Sequence, residues 1–206
     1  MGKYFGDAWS LAKRTAYGLN EIRKLVNIEE KIIGVNQAST VFNTSGTLFS
    51  LSTVGQGLDY TERVGNSIKL QSISVRYRIF MNTSSGNSVV RVIIFRDLDG
   101  YGTAPAISDV LQDGVGTSTA PLSELDFLNR KRFSILYDYI NTLSPQGERG
   151  YCAHVHIPHE GHVLYLGSAS SATSNGKGSV YMLVISDEST NTPSVAFQSR
   201  LVFTDD

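Results

Sequence analysis

All four histidines of the chain fall within His154-Val155-His156-Ile157-Pro158-His159-Glu160-Gly161-His162. On an extended strand, side chains i and i+2 share a face, so His154 and His156 could bind one metal ion with Glu160 as a third donor. The competing reading is a pair of strand histidines followed by a polar turn broken at Pro158, because proline has no N–H for a central ladder. Asp97-Leu98-Asp99-Gly100 opens like a calcium loop, with Asp97 and Asp99 as candidate ligands. The later ligands and closing glutamate of such a loop are absent, and acids at a strand end also serve as turn formers. Cations collect at Arg76 with Arg78 and at Arg130-Lys131-Arg132. Phosphates need positive charge but tolerate loose placement, so these groups could face nucleic acid; salt bridges and solvated faces explain them as well. The chain contains no Gly-x-Ser-x-Gly elbow and no Gly-x4-Gly-Lys-Ser/Thr phosphate loop. Cys152 reads as a strand residue rather than a nucleophile.

The elements that would carry these groups change character along the chain. From Asp7 to Val26 a helical wheel gathers Ala8, Leu11, Ala12, Ala16, Leu19, Ile22, Leu25 and Val26 in one arc, with Lys13, Tyr17, Asn20, Glu21 and Lys24 opposite. This predicts an amphipathic helix, packed either on its own domain or on the inner wall of an assembly; its few cations argue against a membrane surface. Residues 1–26 hold Lys3, Lys13, Arg14, Arg23 and Lys24 against Asp7 and Glu21, a net of +3, while the whole chain carries −1. Electrostatics therefore gives no general case for nucleic acid, only a local one. We read a helical segment over 1–33 and a β domain over 34–206.

In the β domain, strand-like runs recur near 47–53, 67–82, 88–97, 131–138, 151–157, 162–167, 178–187 and 194–204, implying an all-β sandwich or barrel. The clearest alternates Ile73, Val75, Tyr77, Ile79 and Met81 with Ser72, Ser74, Arg76 and Arg78, so one face is core and the other polar and basic. Val89–Phe95 is apolar on both faces apart from Arg91, as in a strand buried between layers. The long connection 98–130, with a helical candidate at Ile107–Leu111, should make contacts. Only 18% of residues are charged against 41% hydrophobic, so the surface is rich in Ser, Thr, Asn and Gly or is buried against other subunits. Asn43-Thr44-Ser45 and Asn82-Thr83-Ser84 match the glycosylation pattern but read as turns, since no signal peptide is recognisable and the single cysteine, Cys152, fits a reducing compartment. No apolar stretch is long enough to cross a membrane. The histidine cluster is also similar to part of the first motif of the cupins, themselves jelly rolls, through His154-x-His156, Glu160 and Gly167. That motif's leading glycine is out of register, and no histidine follows His162 to supply a further ligand.

A broader resemblance is carried in order by Ala8–Arg14, Leu25–Lys31, Gly57–Arg76 with its Arg63-x-Gly65 turn, Val89–Asp97 and Asn129–Asp138. These segments resemble the single jelly-roll capsid proteins of small circular single-stranded DNA viruses that encode a replication initiator, themselves similar to the coat of satellite tobacco necrosis virus. The resemblance implies an eight-stranded antiparallel jelly roll of two four-stranded sheets, self-assembly of sixty copies into a T=1 virion shell, and no enzymatic activity. It also implies a single-stranded DNA genome, with RNA as the alternative, and synthesis in the cytoplasm or nucleus. Where many such capsids carry an arginine-rich arm, residues 1–26 hold only the +3 helical segment. Genome contacts then fall to Lys3, Lys13, Arg14, Arg23 and Lys24, with those of Arg76, Arg78, Arg130, Lys131 and Arg132 that face inward. No cofactor is expected beyond calcium or another divalent metal at subunit contacts. The rival classes are a cupin-like metal enzyme and a ligand-binding jelly roll using its long loops.

Overall fold

The computed structural model describes Thr15 and residues 29–205. The helix expected over 7–26, and with it Lys3, Lys13, Arg14, Arg23 and Lys24, lies outside the described residues. Eight strands form: β1 (Glu30–Val41), β2 (Thr47–Ser50), β3 (Ser67–Phe80), β4 (Ser88–Asp97), β5 (Phe133–Leu143), β6 (Gly150–Leu164), β7 (Ser179–Ser186) and β8 (Ser194–Asp205). One helical turn, α1 (Ile107–Val110), lies in the β4–β5 connection. The strands make two four-stranded antiparallel sheets, β1-β8-β3-β6 and β2-β7-β4-β5. Among the described residues no helix is long and apolar enough to cross a membrane.

Alternation along β3 places Ile73, Val75, Tyr77 and Ile79 in the core between the sheets. Ile68 and Leu70 face the same core although their parity is opposite. A bulge between Leu70 and Ser72 reconciles the two halves. Without the extra residue, a one-position slip would turn half of the apolar side chains outward.

In the β2-β7-β4-β5 sheet the two central strands, β7 and β4, are buried on both faces. Val90, Val92, Ile94, Val180, Met182 and Val184 point between the sheets. Ile93, Phe95, Tyr181, Leu183 and Ile185 point the other way, into a second core closed by Val110, Leu111 and Ala120 of the long connection. That second layer is why β4 and β7 read as continuous apolar runs. The exception within Val89–Phe95, Arg91, is 6% exposed. It forms a forked ion pair with Asp138 at 2.8 and 2.6 Å and donates to the carbonyls of Pro121 and Ser123, which ties the connection down. The helical turn expected at Ile107–Leu111 is present as α1.

Two expectations are corrected. The run at 30–41 is a strand, β1, so the boundary drawn at 33/34 falls inside it; as an edge strand with only half its residues inward, it carries few apolar signals. The runs at 151–157 and 162–167 are one strand, β6, which continues through Pro158 because β6 is also an edge. Asn43 and Asn82 each accept a hydrogen bond from the backbone two residues on, at 2.9 and 3.0 Å, and so form turns as expected.

Candidate nucleic-acid interface

The long connection covers one sheet and leaves the outer face of β1-β8-β3-β6 open. Register builds this face row by row. Asn36, Gln198, Arg76 and His154 lie side by side across the four strands, and the next row sets Gly34, Arg200, Ser74 and His156 together. Arg78 follows beside Ala196 and Cys152, with its guanidinium over the Phe80 ring at 4.5 Å. A shallow depression of about 610 Å³ is lined by Asn36, Arg76, Arg78, His154 and Gln198, and a second adjoins it around Ser74, His156 and Arg200.

The outward charges are unbalanced. Glu160 pairs with Lys69 at 3.4 Å, and Glu30 sits at the start of β1. Arg76, Arg78 and Arg200 have no carboxylate partner among the described residues. Guanidinium, amide and hydroxyl donors spread over a flat surface suit phosphate oxygens, which need charge and donors but no single geometry. Arg200 and Gln198 were not singled out from sequence. The alternation of Ala196, Gln198, Arg200 with Val195, Phe197, Leu201 was the signal available.

The second basic cluster separates from the first and then splits. Arg130, Lys131 and Arg132 form the turn into β5, which belongs to the covered sheet. Arg132 holds fully buried Asp97 with two bonds of 2.9 and 2.8 Å, and that bonding raises its pKa further. It is a structural cation, not a free one. Arg130 lies over the Phe127 ring at 3.8 Å, and both Arg130 and Lys131 are exposed.

Four of the five candidate metal ligands, Asp97, Asp99, His154 and Glu160, are engaged elsewhere, and His156 lies on the open face beside Ser74. Among the described residues no three His, Cys, Asp or Glu side chains stand together as a metal site. Asp97 serves Arg132, and Asp99 pairs with Lys177 at 3.2 Å. His154 Nε2 is hydrogen-bonded to Ser74 Oγ at 2.9 Å, while Glu160 leans on Lys69. His159 turns away from its neighbours: its Nε2 meets Arg96 Nη1 at 2.8 Å, and Arg96 also donates to the carbonyls of His162 and Gly178. Arg96 thus staples β6 of the open sheet to β4 of the covered one. Burial, and then the neighbouring Arg96 charge, push the His159 pKa down. Gly178, at φ +85°, lets the backbone pass His162 and Arg96 where a Cβ would collide with both.

Arg63 of the Arg63-x-Gly65 turn is fully buried. Its guanidinium donates to the carbonyls of Val54 (3.1 Å), Gly65 and Gly167 and lies 4.2 Å from the Tyr165 ring centre. Its pKa is lowered by burial. It folds the 51–66 connection on itself and locks it to the 165–178 connection, and plays no part in the open face.

This arrangement can be set beside known proteins. The coat protein of maize white line mosaic satellite virus is 32% identical over 184 residues, covering 87% of this chain and 82% of that one. The capsid protein of satellite tobacco necrosis virus 1 is 30% identical over 179 residues, covering 85% and 88%. A solved Desmodium yellow mottle tymovirus chain overlays with a TM-score of 0.39 at 8% identity, covering 86% of this chain and 87% of that one, a level at which the likeness carries no argument. The relatives fall on satellite viruses, and the affiliation with circular-DNA viruses finds no support in them. The metal-enzyme reading lacks both an assembled ligand set among the described residues and an enzymatic relative in these matches. The profile described as satellite tobacco necrosis virus coat protein matches residues 12–206, and the chain belongs to that family: it is a viral coat protein, a structural component of the virion and not an enzyme.

Proposed function

We propose that copies of this chain close into a T=1 shell of sixty subunits around single-stranded nucleic acid, with the open β1-β8-β3-β6 face turned inward. One observation carries the reading: the sheet face left uncovered is the one with Arg76, Arg78 and Arg200, which have no carboxylate partner among the described residues. The chain supports the same direction, because the basic stretch 1–26 leads into β1, the edge of this sheet. Contacts of this kind grip phosphate without reading bases, so packaging is sequence-independent at this face. Subunits are made in a reducing compartment, consistent with the exposed free Cys152.

The test compares particles of the native chain with a triple variant, Arg76→Ala, Arg78→Ala and Arg200→Ala. The variant should still form shells but hold clearly less nucleic acid by ultraviolet absorbance. Equal content in both would overturn the inward assignment. Digesting the extracted cargo with ribonuclease or deoxyribonuclease identifies the polymer.

A further inference from the structure

Connections between the antiparallel strands gather at two ends of the sandwich. Turns 42–46, 81–87, 144–149 and 187–193 form one end, joined by Phe42 N–H to Pro193 O at 3.0 Å and Ser85 Oγ–H to Glu188 Oε1 at 2.9 Å. Connections 51–66, 98–132 and 165–178 form the other, joined by Gln56 N–H to Ser168 O at 2.9 Å and Gly102 N–H to Asn175 O at 2.8 Å. The two ends differ in chemistry. At the first end only Val41 and Phe80, the last residues of β1 and β3, are large exposed apolar side chains among the described residues, whereas the second exposes Leu58 (90%), Tyr60, Val64, Tyr101, Phe127 and Leu128 (89%). Exposed apolar groups gathered in this way mark an association surface.

The second end has two lobes of opposite charge. Leu58, Tyr60 and Val64 are set among Asp59 and Glu62; Phe127 and Leu128 are set beside Arg130 and Lys131. Nearby Asp126 is already bonded by Asn129 Nδ2 at 2.7 Å, whereas the Glu62 carboxylate accepts the longer 3.2 Å bond from Asp59 N–H in its own loop. Asp59, Glu62, Arg130 and Lys131 have no ion-pair partner among the described residues.

We propose that this end is a self-association surface, on which the 57–64 loop of one copy seats against the 127–131 turn of a second copy. The apolar side chains of each lobe cover those of the other, and Asp59 and Glu62 meet Arg130 and Lys131. The contact is heterologous, one patch against a different patch, so repetition with rotation gives a closed ring rather than an isolated pair. This inference rests on the self-assembly reading and adds the residues that carry it.

The experiment uses the full chain and sedimentation velocity. Three forms are compared with the native chain: Asp59→Lys with Glu62→Lys, Arg130→Glu with Lys131→Glu, and all four substitutions together, each checked for native β content by circular dichroism. Either pair alone should move most protein from shells to subunits or small oligomers, and the combined charge exchange should restore shells. A second probe, Leu128→Asp, should likewise lose shells while keeping the fold. Shells that form undiminished in every variant would overturn the proposal, as would pairs whose defects are not relieved by the combination. A native chain that never forms shells would instead refute self-assembly itself.

Discussion

Replacing Arg63 tests whether the loops at the apolar end are held by one buried guanidinium. The planar fork reaches three carbonyls in two connections, Val54 and Gly65 in 51–66 and Gly167 in 165–178, and no other residue type offers that geometry. In Arg63→Lys the charge remains, but a single ammonium cannot serve all three. A buried acceptor left without a donor costs about 1–3 kcal/mol. Val54 is completely buried and bears that cost in full, whereas Gly65 and Gly167 are half-exposed, so water can take over part of their bonding. Adding the weakened contact with Tyr165, the expected loss is about 2–4 kcal/mol, or about 4–16 °C in melting temperature for a chain of this size. Scanning calorimetry of purified particles at matched concentration and pH measures it. A midpoint within about a degree of the native value would refute the account of Arg63 as the tie between these loops.

Three further outcomes follow from other parts of the fold. Phe95→Ala empties the centre of the second core and should destabilise by about 3–5 kcal/mol, with the 98–132 connection becoming the first site cut in limited proteolysis. For single-stranded nucleic acid bound at the open face, removing Arg76, Arg78 and Arg200 together should make the plot of log affinity against log salt shallower by about 2, from about 0.7 per lost phosphate contact. His159 sets an acid limb. Its pKa is lowered in the folded state by burial and by Arg96, so above the free value of about 6.5 the residue is neutral folded or unfolded and contributes no slope. As pH falls below that value the unfolded chain takes up the proton more readily, and stability drops until the pH passes the lower folded value. Melting curves between about pH 7.5 and about pH 5 should show this fall, reduced in His159→Gln; an identical slope in that variant would remove His159 as its source.

Much of the sandwich was legible because its signals are local. The alternation of β3 and the apolar runs of β4 and β7 mark inward faces wherever they occur. Two boundaries were not, and both lie on edge strands. In β1 only Ile33 and Val35 pack as apolar residues against the core, and its outward Gly34, Asn36 and Ala38 resemble a loop. In β6, Pro158 resembled a break. The missed strand and the divided strand cancelled, so the count of eight came out right for the wrong reason. The arginines show a different limit. Residues of one type became an outward pair on the open sheet (Arg76, Arg78), a loop tie (Arg63), a sheet staple (Arg96) and carboxylate partners (Arg91, Arg132). Their spacing does not separate these roles, because each depends on a residue far away in sequence: Gly167, His159, Asp138 or Asp97.

Pro158 has a meaning beyond its effect on sequence reading. A fifteen-residue edge strand offers a long row of unpaired backbone groups, and a protein packed at high density among its own copies is exposed to runaway strand addition. Pro158 has no N–H to offer, and the irregular pairing beside it, where Ser72 faces Pro158 and Leu70 faces Gly161, interrupts the straight edge. Endless stacking edge to edge is thereby disfavoured relative to side-chain contacts that can close on themselves. Pro158 thus gives the long β6 edge one of the devices by which sheet proteins resist strand addition.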